Sequence, residues 1–87
     1  MRVTAIKDLI RKDVPIYYRR VFSGTLVIDL MSTIVEKHID FTIETKPTGV
    51  NEMIINDMDS VDYPLLPLTK EIKKFISVLD ETGGLPS

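Results

Sequence analysis

The sequence predicts an α+β fold: one four-stranded antiparallel sheet, a meander, with two helices packed on one face in the order α-β-β-β-β-α. Three observations predict it. Apolar residues recur at helical spacing at both ends of the chain, period-two alternation fills the middle, and turn residues come at intervals short enough for hairpins. With 87 residues, a single domain over residues 1–87 is the only division that leaves a core large enough to fold without staples.

Thr4 is placed to cap a first helix in which Val3, Ile6, Leu9 and Ile10 share one stripe and Lys7, Asp8, Arg11 and Lys12 the other side. Pro15 disfavours helical geometry at Val14, so this helix is expected to stop near Lys12 or Asp13. β-branched and aromatic residues follow, from Val14 to Val21 and from Thr25 to Met31, with Phe22, Ser23 and Gly24 between them as a hairpin turn. A two-residue Ser23-Gly24 loop competes with a three-residue loop. The three-residue register is preferred because it gathers Ile16, Tyr18, Leu26, Ile28 and Leu30 on one face and leaves Tyr17, Arg19, Val21, Val27 and Asp29 on the other.

The third strand is the plainest. Ile39, Phe41 and Ile43 alternate with Asp40, Thr42 and Glu44, and Pro47-Thr48-Gly49 turns the chain back through Asn51 to Met58. The return sets Met53 beside Ile43, Ile54 beside Thr42 and Ile55 beside Phe41. Residues 57–68 read as a loop with an extended Pro64-to-Pro67 tether, its leucines laid against the core. Thr69 then caps a last helix with Ile72, Phe75, Ile76 and Leu79 on its buried stripe, ended by Gly83 and Gly84 and followed by a frayed tail, residues 82–87. The expected core is Ile6, Ile10, Ile16, Tyr18, Leu26, Ile28, Leu30, Ile39, Phe41, Ile43, Ile55, Ile72, Phe75, Ile76 and Leu79.

Composition narrows the chemistry. The absence of cysteine removes disulfides, thiol catalysis and thiolate metal centres, and it favours a reducing compartment. No apolar run approaches the roughly 18 residues of a membrane span and no signal pattern opens the chain, so a cytoplasmic protein without membrane contact is expected. No phosphate-binding loop, dinucleotide fingerprint or nucleophile elbow occurs, and one histidine gives little scope for a triad. The expectation is therefore a non-enzymatic domain with no cofactor.

Charge is unevenly placed. Residues 1–24 carry six basic and two acidic groups, residues 25–62 two basic and eight acidic, and residues 63–87 three of each. Opposed lobes of this kind are expected to face each other in the fold. His38 lies between Glu36 and Asp40 on one strand face, but period-two spacing of roughly 6.5–7 Å keeps the three from sharing an ion unless a neighbouring strand contributes. Solvation of that face is the simpler expectation, and no metal site is assigned. Asp57, Asp59 and Asp62 resemble a calcium loop only until Asp62 and Leu68 are found where glycine and a carboxylate are needed.

The leading functional expectation is a small protein-interaction or regulatory module, binding a partner or a second copy through Tyr17, Arg19, Val21 and Val27 on the open sheet face. The alternative is RNA binding through the same Tyr/Arg face, with Arg11, Lys12, Arg19 and Arg20 as polyanion contacts. A small enzyme or ligand-binding domain ranks lower.

Overall fold

The computed structural model describes residues 1–86. Four strands, β1 (Arg2–Lys12), β2 (Arg19–Asp29), β3 (Ile34–Thr45) and β4 (Asn51–Met58), form one antiparallel sheet in the order β1-β2-β3-β4, and one helix, α1 (Leu65–Thr82), follows. The α-β-β-β-β-α expectation is corrected at its start: the segment expected to be the first helix is a strand, and a single helix covers the sheet.

Two bulges account for the helical look of β1. Thr4 is an extra residue between the pairs Val3–Ile28 and Ala5–Val27, and Asp8 and Leu9 together face Gly24 between Lys7–Thr25 and Ile10–Ser23. Each bulge lengthens the inward repeat from two residues to three, so Val3, Ile6 and Leu9 all turn to the helix-covered face while spaced like a helical stripe. Asp8 makes the second kink at a φ of +54°, a left-handed conformation that aspartate tolerates better than most side chains.

The expected hairpin turn at Phe22-Ser23-Gly24 is the middle of β2, and the chain reverses instead at residues 13–18. Gly24 has another purpose there. A Cβ on it would lie 3.0 Å from Ile6 Cγ2, 3.1 Å from Leu9 Cδ2 and 3.2 Å from the Lys7 carbonyl oxygen, so the bare backbone is what lets the bulged strand fold over β2. Phe22 is fully buried and stacks on its cross-strand partner Phe41, with centroids 5.2 Å apart.

The β3–β4 hairpin has the expected register: Ile43 faces Met53, Thr42 faces Ile54 and Phe41 faces Ile55. Beyond it Asn56 is bulged out, which places Asp57 opposite Asp40 and turns Met58 inward beside Ile39.

α1 begins four residues before Thr69. Pro64 is its N-cap and Pro67 its third residue, where the missing N–H has no intrahelical acceptor to lose. Of the leucines expected to tether this segment, Leu68 is buried while Leu65 and Leu66 are exposed. Gly83 ends the helix in a left-handed C-cap at φ +74°, and the Gly84 N–H reaches the Leu79 carbonyl at 2.8 Å. Leu85 packs against the core, and the end of the expected frayed tail, Ser87, lies outside the described residues.

The core is the inner sheet face, Val3, Phe22, Leu26, Ile28, Ile39, Phe41 and Ile43, against Leu68, Ile72 and Ile76 of α1. Ile6, Leu30, Ile55 and Phe75 pack around it half-buried. Ile10, Ile16 and Tyr18 are exposed rather than in the core, the last two because residues 13–18 form the connection and not a strand.

Candidate functional site

The face of the sheet away from α1 carries Ala5, Lys7, Ile10 and Lys12 from β1, Arg19, Val21, Ser23, Thr25 and Val27 from β2, and Glu36, His38, Asp40, Thr42 and Glu44 from β3. β1 is basic here and β3 acidic, and the residues of β2 between them are mostly short. Lys7 therefore reaches over β2 to Glu36 at 2.9 Å and Lys12 to Asp40 at 3.4 Å, while Arg19 meets its direct partner Glu44 at 3.4 Å. The basic first third and the acidic middle third of the chain thus face each other across the open sheet. The hydrogen bond and charge of Glu36 hold the Lys7 ammonium above its ordinary pKa, and Glu52 with Glu44 does the same for Lys46.

The expected interaction face is divided. Arg19, Val21 and Val27 share the open side of β2, with both valines half-buried. Tyr17 is 97% exposed in the β1–β2 connection, edge-on to Tyr18, and borders a cleft of about 680 Å³ with Glu44, Lys46 and Pro47. The expected polyanion contacts are divided too. Arg20 points to the helix side and grips Asp80 with two hydrogen bonds of 2.8 and 3.2 Å, Lys12 and Arg19 are paired with acids, and Arg11 is exposed at the end of β1. Arg20 holds the Asp80 carboxyl below the ordinary carboxylate value, with Asn51 adding a 3.3 Å hydrogen bond.

Sequence reasoning missed the other edge of the sheet. Among the described residues, β4 pairs only with β3, so its outer backbone groups face a groove between the strand and α1. Met53, Ile55, Leu65 and Thr69 line this groove, with Glu52, Asp57 and Lys73 at its rim, and its volume is about 550 Å³. Leu65 is 65% exposed there. The signal was present as an apolar Tyr63-to-Leu66 run whose leucines were all assigned to the core.

His38 Nε2 lies 3.2 Å from Asp40 Oδ2, and β4 brings Asp57 to both, so that one ligand atom from each of the three lies within 4.8 Å of the others. Ser23 hydrogen-bonds Asp40 and, with His38, holds its carboxyl low. Glu36, the other neighbour of His38 in the sequence, is drawn away to Lys7.

A bulged antiparallel meander closed by one C-terminal helix, with an open edge groove and a compact polar cluster, defines a small sheet-and-helix binding domain. The chain belongs to the BB_0187 family, whose model matches residues 1–81, from the start of β1 to the last turn of α1. No match is found among curated proteins or among solved structures. Among the described residues no helix is long and apolar enough to cross a membrane.

Proposed function

We propose that this chain is a non-enzymatic protein-interaction module that takes up an extended segment of a partner polypeptide as a fifth strand along β4. The observation that carries the reading is the unpaired outer edge of β4 beside α1, with half-buried Met53 and Ile55 on the floor of the groove and exposed Leu65 on its wall. Strand addition uses backbone groups that an edge must otherwise leave to water, and alternate side chains of the guest enter the groove. The groove runs from Glu52 to Met58, which suits a guest of five to seven residues at about 3.3 Å per residue. Apolar guest residues would face Met53, Ile55 and Leu65, and basic ones would face Glu52 and Asp57. The Tyr17 cleft offers no backbone edge and supports the reading less. The proposal keeps the cytoplasmic setting that a cysteine-free composition favours.

The test is a titration of extended peptides with alternating apolar and basic residues, followed by amide spectra. Expected are shifts along β4 and the first turns of α1, and about tenfold weaker binding in Leu65→Asp, a change at an exposed position that spares the core. Insensitivity to Leu65→Asp together with loss in Tyr17→Ala would move the site to the β1–β2 connection. Steeply salt-dependent RNA binding lost in Arg19→Ala would replace the reading with its nucleic-acid rival.

A further inference from the structure

We propose that His38, Asp40 and Asp57 form a site for one divalent transition-metal ion, Zn²⁺ foremost, on the open face where β3 meets β4. The donor set is one imidazole and two carboxylates, which suits a borderline cation better than Ca²⁺ or Mg²⁺, whose sites are built from oxygen alone. One ligand atom from each side chain already lies within 4.8 Å of the other two. Zn–N and Zn–O bonds of about 2.0–2.2 Å require them to draw closer, which side-chain rotation at half-buried Asp40 and exposed Asp57 provides.

Three features make this more than a chance meeting of surface acids. Asp40 and Asp57 stand directly opposite on paired strands, a like-charge arrangement that destabilises a sheet unless a cation offsets it. Asp57 reaches that place only because Asn56 is bulged; with unbroken alternation it would pair with Ile39 and turn toward α1. The surroundings hold the ligands in place. The His38 N–H donates to Asp59 Oδ2 at 2.9 Å, the Asp59 N–H donates to the His38 carbonyl at 3.1 Å, and Ser23 and Lys12 orient Asp40. Two strands supply the ligands, so the bound ion would cross-link β3 to β4 past the bulge. The remaining coordination positions open to solvent.

This site does not depend on peptide docking at β4, and the two are tested separately. The experiment is calorimetric titration of ZnCl₂ and, in parallel, MgCl₂ into the full chain at neutral pH, with amide spectra at each step. Expected are one Zn²⁺ per chain, shifts centred on His38, Asp40 and Asp57, at least tenfold weaker binding in His38→Gln and in Asp57→Asn, and unchanged binding in Glu36→Gln. Both sensitive positions are exposed, and the spectra of the variants verify the fold. Undiminished Zn²⁺ binding in His38→Gln and Asp57→Asn would overturn the proposal. So would equal occupation of the same residues by Mg²⁺, or no saturation by about 1 mM Zn²⁺.

Discussion

β1 and β4 are the two edges of one sheet and are finished in opposite ways. β1 is kinked twice, takes a left-handed residue at Asp8 and folds Leu9 over the bare backbone of Gly24. β4 runs straight from Asn51 to Ile55 before its single bulge, and its outer side opens into the groove beside Leu65. Bulges twist an edge out of reach of a further strand. The difference teaches that this sheet is closed to augmentation on one side and left open on the other, and that the closure depends on a glycine in a neighbouring strand.

The comparison can be broken most severely at Phe22. It holds only if β2 runs unbroken past that residue, and Phe22→Ala in such a strand should cost about 3–5 kcal/mol in denaturant unfolding, whereas a turn residue would cost little. Gly24→Val is the sharper probe of the closed edge. Overpacking against Ile6 and Leu9 should cost about 1–3 kcal/mol, and hydrogen exchange should rise in β1 while the β3–β4 hairpin stays protected. Uniform loss of protection would mean that the two edges are not separable. The smallest effect concerns the side where α1 is pinned by Arg20 and Asn51 to the starts of β2 and β4. Asp80→Asn should cost about 1–2 kcal/mol at neutral pH. The folded-state pKa of Asp80 is depressed from 3.8, so the stability it contributes is present above that value and drains away as pH falls through the lower folded value. Acid unfolding of the variant should accordingly show a shallower fall with pH than the parent, and an unchanged fall would remove Asp80 from the pin.

The same contrast explains what could be read from the residues. Strict alternation from Ile39 to Glu44 leaves one choice of faces, so the β3–β4 register followed directly, down to Thr42 beside Ile54. In β1 the bulges set Val3, Ile6 and Leu9 three apart, a spacing shared by a bulged strand and a helix, and only the partner strand distinguishes them. Gly24 looked like a turn because its purpose, room for Leu9, concerns a residue well back along the chain in the partner strand and leaves no local mark. Pro64 and Pro67 looked like breakers because proline stops a helix everywhere except in its first turn. At the polar cluster, His38 and Asp40 were legible as neighbours on one face. Asp57 was not, since the Asn56 bulge reverses the parity that placed it.

The long strands have a further consequence, in how the molecule tumbles. β3 has 12 residues, and at about 3.3 Å each it spans nearly the whole of the 41 Å long axis, while the other two dimensions are 24 and 23 Å. α1, with 18 residues at about 1.5 Å rise, is clearly shorter than the strands it covers. The protein is therefore a short rod that spins about the strand direction faster than it turns end over end. Antiparallel ladder bonds lie across the strands, so the paired amide vectors of the sheet stand nearly perpendicular to that axis and should relax as a group.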